Sequence, residues 1–430
     1  MHVYFSGIGG AGIGPLAQIA HQAGYDVSGS DQQTSQYIDY LKKHGITDIT
    51  IGQTRDQIAA AHDRQPIDWL VHSSSIKDDH PELVFAKEQG IKTTKRDTLI
   101  NQILSDKHLK LIAIAGTHGK TTTTSMVIWL FKQLNIPVSY SVGAKLTFGD
   151  MGQYEESSEY FVYEADEFDR NFLAFEPEIS LISGVSCDHH EIFPTRDSYK
   201  YAFREFISQT KHTFIWTEDA DYLGCDPMSK PEYSVLDSDS PDINNITLKG
   251  KYNRLDAWIA IQAVHSVTNK PVDELIGLMN NFPALSRRME PIIPNLYSDY
   301  AHTPEKIRGA MSVASEMAQE SGQDLIVVYE PLTNRRQHYM QDDYKDVFNG
   351  ATKLFWIPSY LAREDPDQRV IPPSEMIEKL SDPSIATPMD RDEKLKLVIK
   401  EHLEKGDLVV CMAGGGGNSL DDWLRDNFTN

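Results

Sequence analysis

A chain of 430 residues is too long for one ordinary hydrophobic core, so two or three domains are expected. Its net charge of −22, with no offsetting run of Lys or Arg, argues against nucleic acid or an anionic membrane as partner. Apolar residues make up 40% of the chain without a stretch near the length of a bilayer span, so no membrane span is expected.

The first predicted element is the strand Val3–Tyr4–Phe5, entered without a basic or apolar leader. It runs into "GIGGAG", where Gly7, Gly9 and Gly12 satisfy G-x-G-x-x-G ahead of a helix, and Asp31 ends the second strand. Alone this is a dinucleotide fingerprint, and a nicotinamide-dependent oxidoreductase is its first reading. A turn that admits a diphosphate does not specify which one, however, and a UDP-sugar fits equally well. The strand Trp69–Leu70–Val71 follows, with Ser73 and Ser74 after its end.

A second segment begins near Asp106. The apolar run Leu111–Ala115 reads as a buried parallel strand, followed by Gly116-Thr117-His118-Gly119-Lys120-Thr121 and a helix through Trp129 and Leu130. The strict phosphate-loop pattern fails, because Ile114 stands where its first glycine belongs. Its physical parts are nevertheless present: helix-start N–H groups to face a polyphosphate, Lys120 to meet its charge, and the Thr121 hydroxyl to reach Mg2+. The plainer alternative is a strand, a turn and a helix with a surface lysine.

Two more strands supply acidic and imidazole groups. One ends in Glu164, with Asp166 and Glu167 beyond it; the next ends near Asp188, His189 and His190. Such groups at the C-terminal ends of parallel strands sit where an open sheet holds its ligand, which makes Glu164 and His189 candidate ligands for the metal of Mg-ATP. A solvated loop and a packing histidine pair are the alternatives. Cys187, Cys225 and Cys411 form no C-x-x-C pair, which fits a reducing, cytoplasmic compartment and offers no zinc site.

The third segment follows a turn-rich join flanked by Pro283 and Pro291. It alternates the strand Leu296–Ser298, a helix after "DYAHTPEKI", the strand in "DLIVVYEPLTNRR", and the strand, glycine turn and helix of "DLVVCMAGGGGNSLDDWL". Such alternation predicts parallel sheets with helices on both faces, hence an α/β protein throughout.

In chain order "GIGGAG", "SGSD", "SSSIKDDHPE", "GTHGKTTTT", "EADE", "DHH", "GKYNRLDA", "SRRME" and "DYAHTPEKI" make the whole chain resemble the Mur ligase family. The family's own phosphate loop has the short glycine spacing, and its first glycine loop holds a UDP-sugar. The resemblance implies three domains: a Rossmann-like UDP-sugar-binding domain over 1–106, a central P-loop-type ATP-binding domain over 107–283, and a Rossmann-like C-terminal ligase domain over 284–430. It implies an enzyme of peptidoglycan precursor synthesis that uses ATP and Mg2+ to activate UDP-N-acetylmuramate as an acyl phosphate, which an amino acid, foremost L-alanine, then attacks.

Residue by residue, the resemblance gives Lys120, His189 and Arg288 catalytic roles, and Thr121, Glu164 and His189 the metal. It gives Gly116, Thr117, His118, Gly119, Lys120, Thr121, Thr122, Asn253, Asp299 and His302 to ATP. Gly9, Gly10, Gly12, Asp31, Ser73 and Ser74 would hold the UDP portion, and Arg335 and Arg336 the acceptor.

The chain departs from the family pattern at Asp256 and Thr303, in a short central segment, and in "YEPLTNRRQ", where Leu332 and Thr333 replace an expected His and Arg. That loop is similar to the family member that reattaches L-alanyl-gamma-D-glutamyl-meso-diaminopimelate in cell-wall recycling. A recycling ligase is therefore the alternative, and a nucleotide-sensing relative without turnover a more remote one.

Overall fold

The computed structural model describes residues 1–429 except 11, 74–75, 187–191, 226–232, 284, 286, 362–363, 365–366 and 416, and the side chain at 36. The chain forms two compact units, Met1–Ile246 with Asp256–Phe282, and Thr247–Leu255 with Pro283–Asn430. Within them lie three sheets in a three-domain α/β architecture.

The first unit carries two sheets. Strands β1 (His2–Ser6), β2 (Asp26–Asp31), β3 (Ile49–Ile51), β4 (Trp69–His72) and β5 (Lys92–Lys95) are parallel, in the order β3-β2-β1-β4-β5. The order reverses at β1, so a crevice for a ligand opens at its C-terminal end, where the glycine loop begins.

The second sheet contains β6 (Lys110–Ala115), β7 (Val138–Ser141), β8 (Gly152–Gln153), β9 (Tyr160–Glu164), β10 (Ile179–Ile182), β11 (His212–Trp216) and β12 (Tyr233–Leu236). Their order is β12-β11-β10-β6-β9-β7-β8, parallel except for β8. Because β9 and β10 flank β6, their ends converge on the phosphate loop. One hydrophobic cluster runs from Val3 and Ile100 to Phe172 and Phe203, packing the helix Arg96–Asp106 between the two sheets' cores.

The second unit has β13 (Glu290–Ile293), β14 (Leu296–Asp299), β15 (Leu325–Glu330), β16 (Lys353–Trp356), β17 (Ala386–Pro388) and β18 (Leu408–Ala413), in the order β13-β14-β18-β15-β16-β17. The runs "LIVVYE" and "LVVCMA" are buried at every position, as strands covered on both faces must be. Separate apolar clusters cover the two faces.

Pro291, which flanks the turn-rich join, lies in β13, an antiparallel edge strand, where a missing N–H is tolerated. One local reading is corrected. The strand expected to reach Asp188 ends at Ile182, because the following backbone turns to bond the phosphate loop: Thr117 N–H donates to Gly184 O (2.7 Å) and Ser186 N–H to Thr117 Oγ1 (2.9 Å). No helix among the described residues is long and apolar enough to cross a membrane.

Candidate active site

The phosphate loop joins β6 to the helix Lys120–Gln133. Gly119, just before that helix, has φ +78°, and a Cβ there would fall 2.6 Å from Asp256 Oδ1, so conformation and space both require glycine. Lys120 begins the helix, and its ammonium donates to Glu167 Oε2 (2.6 Å) and to Gly116 O. Burial opposes the lysine's charge, but Glu167 and Asp166 outweigh it and raise its pKa, so Lys120 is an ammonium held by carboxylates.

At the next residue, Thr121 Oγ1 donates to Glu164 Oε1 (2.8 Å), while Gly143 N–H holds the other carboxylate oxygen (2.7 Å). A hydroxyl and a carboxylate oxygen side by side form a hard oxygen pair that suits Mg2+. Among the described residues no group of three or more His, Cys, Asp or Glu could hold a metal, so Mg2+ at this pair would take its other ligands from phosphate and water. His189 lies outside the described residues.

The remaining loop residues divide by function. The Thr117 hydroxyl donates to Ser186 O (2.6 Å) and lies 2.6 Å from Tyr199 OH, so it fixes the segment after β10. His118 packs against Gly184 and its carbonyl accepts from Ser183 Oγ. Gly116 abuts Ser183, and Thr122 is half-buried in the helix's first turn.

At the first glycine loop the structure brings together Gly9, Gly10, Gly12 and Asp31. Gly9 N–H donates to Asp31 Oδ2 (2.8 Å), so the carboxylate that a dinucleotide enzyme would offer to a ribose braces the loop here. Ser73 follows β4, the other neighbour of β1; Ser74 lies outside the described residues.

Two residues at this end of the sheet were not legible in the sequence. Glu82 is fully buried and accepts the hydroxyls of Tyr4 (2.9 Å), Ser6 (2.5 Å) and Ser30 (2.6 Å), tying the ends of β1 and β2 together. Arg96 lies against Gly12 and pairs with Asp166 at 3.1 Å. A glutamate in a helix's first turn and an arginine after a strand carry no signal of such partners.

In the second unit, Asp299 is buried with its two oxygens on the N–H groups of Met289 and Ala301, both at 2.8 Å. Burial raises its pKa against the opposing pull of Arg288. His302 is buried beside Gly414, with Nδ1 2.7 Å from Tyr300 O; burial, then Lys306 and Arg336, hold it well below the usual histidine range, so it is neutral. Arg288 stands over the Tyr300 ring at 5.2 Å. Asn253 donates to Lys249 O (2.8 Å) in this unit, whereas Asp256 belongs to the first.

Arg335 and Arg336 open the helix Asn334–Met340, their amides bonded to Glu364 and to the Thr333 cap. Nearby, a pocket of about 420 Å³ lies past the ends of β15, β16 and β18, lined by Glu330, Ser359, Tyr360, Arg391 and Asn418 among others. Glu330 accepts Leu420 N–H (2.9 Å) and Arg391 Nη1 (3.3 Å) across 61 residues of sequence, a pairing no local pattern announces.

Comparison with known proteins gives three consecutive family matches: "Mur ligase family, catalytic domain" over residues 2–108, "Mur ligase middle domain" over 114–236, and "Mur ligase, glutamate ligase domain" over 287–415. The chain is 28% identical to a UDP-N-acetylmuramate--L-alanine ligase of Clostridium novyi, covering 96% of this chain and 94% of that one. It is 29% identical to the protein of the same name from Acetivibrio thermocellus, covering 96% and 93%.

Among solved structures it is similar to the UDP-N-acetylmuramate-alanine ligase of Thermotoga maritima, with TM-score 0.74, 22% identity and coverage of 97% and 96%. It also resembles a murein peptide ligase of Psychrobacter arcticus, with TM-score 0.63, 20% identity and coverage of 100% and 98%. With all three family segments present in order on this architecture, the chain belongs to the Mur ligase family.

Proposed function

We propose that this protein is an ATP-dependent amide-forming ligase that joins L-alanine to the lactyl carboxylate of UDP-N-acetylmuramate in the cytoplasm, a step of peptidoglycan precursor synthesis. The observation that carries the phosphoryl chemistry is the convergence of Lys120, Thr121, Glu164 and Glu167 at the ends of β6 and β9. L-Alanine as acceptor is supported by the names of relatives that align with 96% of the chain.

A carboxylate is a poor acyl donor because oxide would have to leave. Transfer of the γ-phosphoryl of ATP to one carboxylate oxygen releases ADP and makes an acyl phosphate. The neutral amine of the amino acid then attacks the acyl carbon, and collapse of the tetrahedral intermediate expels phosphate and leaves an amide. Lys120 exchanges Glu167 for phosphate oxygens and offsets their charge during transfer. Mg2+, held by Thr121 and Glu164 and, on the family pattern, by His189, would neutralise the polyphosphate.

On that pattern Arg288 approaches the transferred phosphate, and Asn253, Asp299 and His302 complete the ATP site. Gly9, Gly10, Gly12, Asp31, Ser73 and Ser74 take the UDP portion, and Arg335 and Arg336 the acceptor carboxylate. Residues 1–106, 107–283 and 284–430 are then the sugar-nucleotide, ATP and ligase domains.

A second reading, ligation of the recycled tripeptide, is favoured by Leu332 and Thr333 in the acceptor loop. One experiment separates the two: phosphate release with Mg-ATP and UDP-N-acetylmuramate, scanning L-alanine, glycine, L-serine and the tripeptide, with product mass recorded. Release with L-alanine supports the proposal. Release only with the tripeptide replaces it by the recycling reaction, and no release with any acceptor rejects both.

A further inference from the structure

The first glycine loop poses a charge problem. A sugar nucleotide brings a diphosphate, and this chain already carries net charge −22. Backbone N–H groups normally supply part of the compensation in such loops. Here those of Gly7 and Ile8 donate to Ser30 O, Gly9's to Asp31, Gly10's to Gly7 O, and those of Ile13 and Gly14 to Gly10 O. With these six amides committed and a carboxylate at the loop's edge, a side-chain cation would supply charge compensation that they cannot.

Arg96 meets that need. It is the first residue of the helix after β5, and its Nη1 lies 2.7 Å from where a Cβ on Gly12 would stand. The absence of a side chain at Gly12 is therefore what lets the guanidinium lie on the loop. Asp166 Oδ2 holds Arg96 Nη2 at 3.1 Å, and the other Asp166 oxygen accepts Phe168 N–H, so the carboxylate is itself fixed. Asp166 occupies one of the five N–H groups of the guanidinium, and Nε–H is buried without a partner among the described residues. Phosphate oxygens suit such a planar fork.

We infer that Arg96 binds the diphosphate of the sugar nucleotide and that Asp166 is its positioning residue. The inference rests on the sugar-nucleotide reading of the N-terminal segment. It also gives the strap 164–167 a joint role: Glu164 holds Thr121, Asp166 holds Arg96 and Glu167 holds Lys120, so the cation of one substrate and the cation of the other are aligned by neighbouring residues of one chain segment.

The test is calorimetric binding of UDP and of uridine to the full-length wild type, Arg96→Ala, Arg96→Lys and Asp166→Asn, each checked for fold by circular dichroism. Wild type should prefer UDP to uridine. Arg96→Ala should lose about 10- to 100-fold for UDP with little change for uridine, Arg96→Lys should recover part, and Asp166→Asn should fall between. UDP affinity unchanged in Arg96→Ala overturns the assignment alone, as does an equal loss for UDP and uridine, which marks a merely structural residue. If wild type binds UDP no better than uridine, the diphosphate reading of the loop fails with it.

Discussion

Lys120 and Glu167 meet at 2.6 Å, with the glutamate side chain 1% exposed and the lysine 14% exposed. A buried carboxylate keeps the ammonium charged and held at the loop; in the proposed mechanism a phosphate would take its place. Removing one partner of such a pair leaves the other charge uncompensated. Lys120→Ala should lower turnover about 10³-fold while Glu167 is left to destabilise the fold. Near wild-type phosphate release would remove Lys120 from the chemistry.

Thr121 and Glu164 make a separable prediction, because on the proposed assignment their pair would hold the metal, apart from the lysine. Thr121→Val and Glu164→Gln should each raise the Mg2+ concentration needed for half-maximal phosphate release, by about 10-fold or more. A titration of rate against Mg2+ at saturating ATP checks it. An unchanged midpoint in both variants would place the metal elsewhere.

Glu82 is a matter of stability. Its carboxylate satisfies three hydroxyls on β1 and β2, two of them at the strand ends that open the glycine loop. Glu82→Ala should cost about 2–3 kcal/mol, since buried hydroxyls would lose their acceptor and a cavity would form. Urea unfolding measures this, and a loss below about 0.5 kcal/mol would show that water replaces the carboxylate at little cost.

How much of this was legible depended on sequence distance. The strand before Gly116, the helix from Lys120 and the position of Glu164 at a strand end all follow from local apolar runs and their punctuation, and the structure agrees. The pairing of Thr121 with Glu164 was legible only as a consequence of neighbouring parallel strands. Arg96 was not, because it reaches Gly12 across 84 positions and Asp166 across 70, and side-chain periodicity carries no information over such separations. Glu330 with Arg391 failed for the same reason.

Asp219 gives the chain a pH dependence of defined sign. Burial, opposed by the Val185 N–H bond at 3.0 Å, pushes its carboxyl up to about 7. Between about pH 4 and 7 the folded protein therefore holds a proton that the unfolded chain has released. Stability contributed by this group is full at the acid end and declines as pH rises to about 7, beyond which it is flat. Asp219→Asn should remove that decline, making the wild type lose about 2 kcal/mol more than the variant between pH 4.5 and 7.5, after allowance for partial solvent screening. Urea unfolding of both proteins at the two pH values decides it; parallel behaviour would mean that Asp219 titrates normally.

Arg336 tests the acceptor site. Its charge acts to lower the pKa values of His302, Tyr329 and Tyr344, and its amide is pinned by the Thr333 cap at 3.2 Å. Thr333 stands where the family pattern has an arginine, so on the proposed assignment Arg336 would carry more of the acceptor's carboxylate. Arg336→Ala should raise the acceptor KM about 10- to 100-fold while the KM for ATP changes by less than about 3-fold, the signature of a lost ground-state contact. Arg336→Lys should recover little, because an ammonium lacks the bidentate fork. Steady-state kinetics with each substrate varied in turn make the measurement. If the two KM values rose together, the arginine would act through the neutral His302 and its surroundings; an acceptor KM that did not move would shift the carboxylate to Arg335 or to Arg391 beside Glu330.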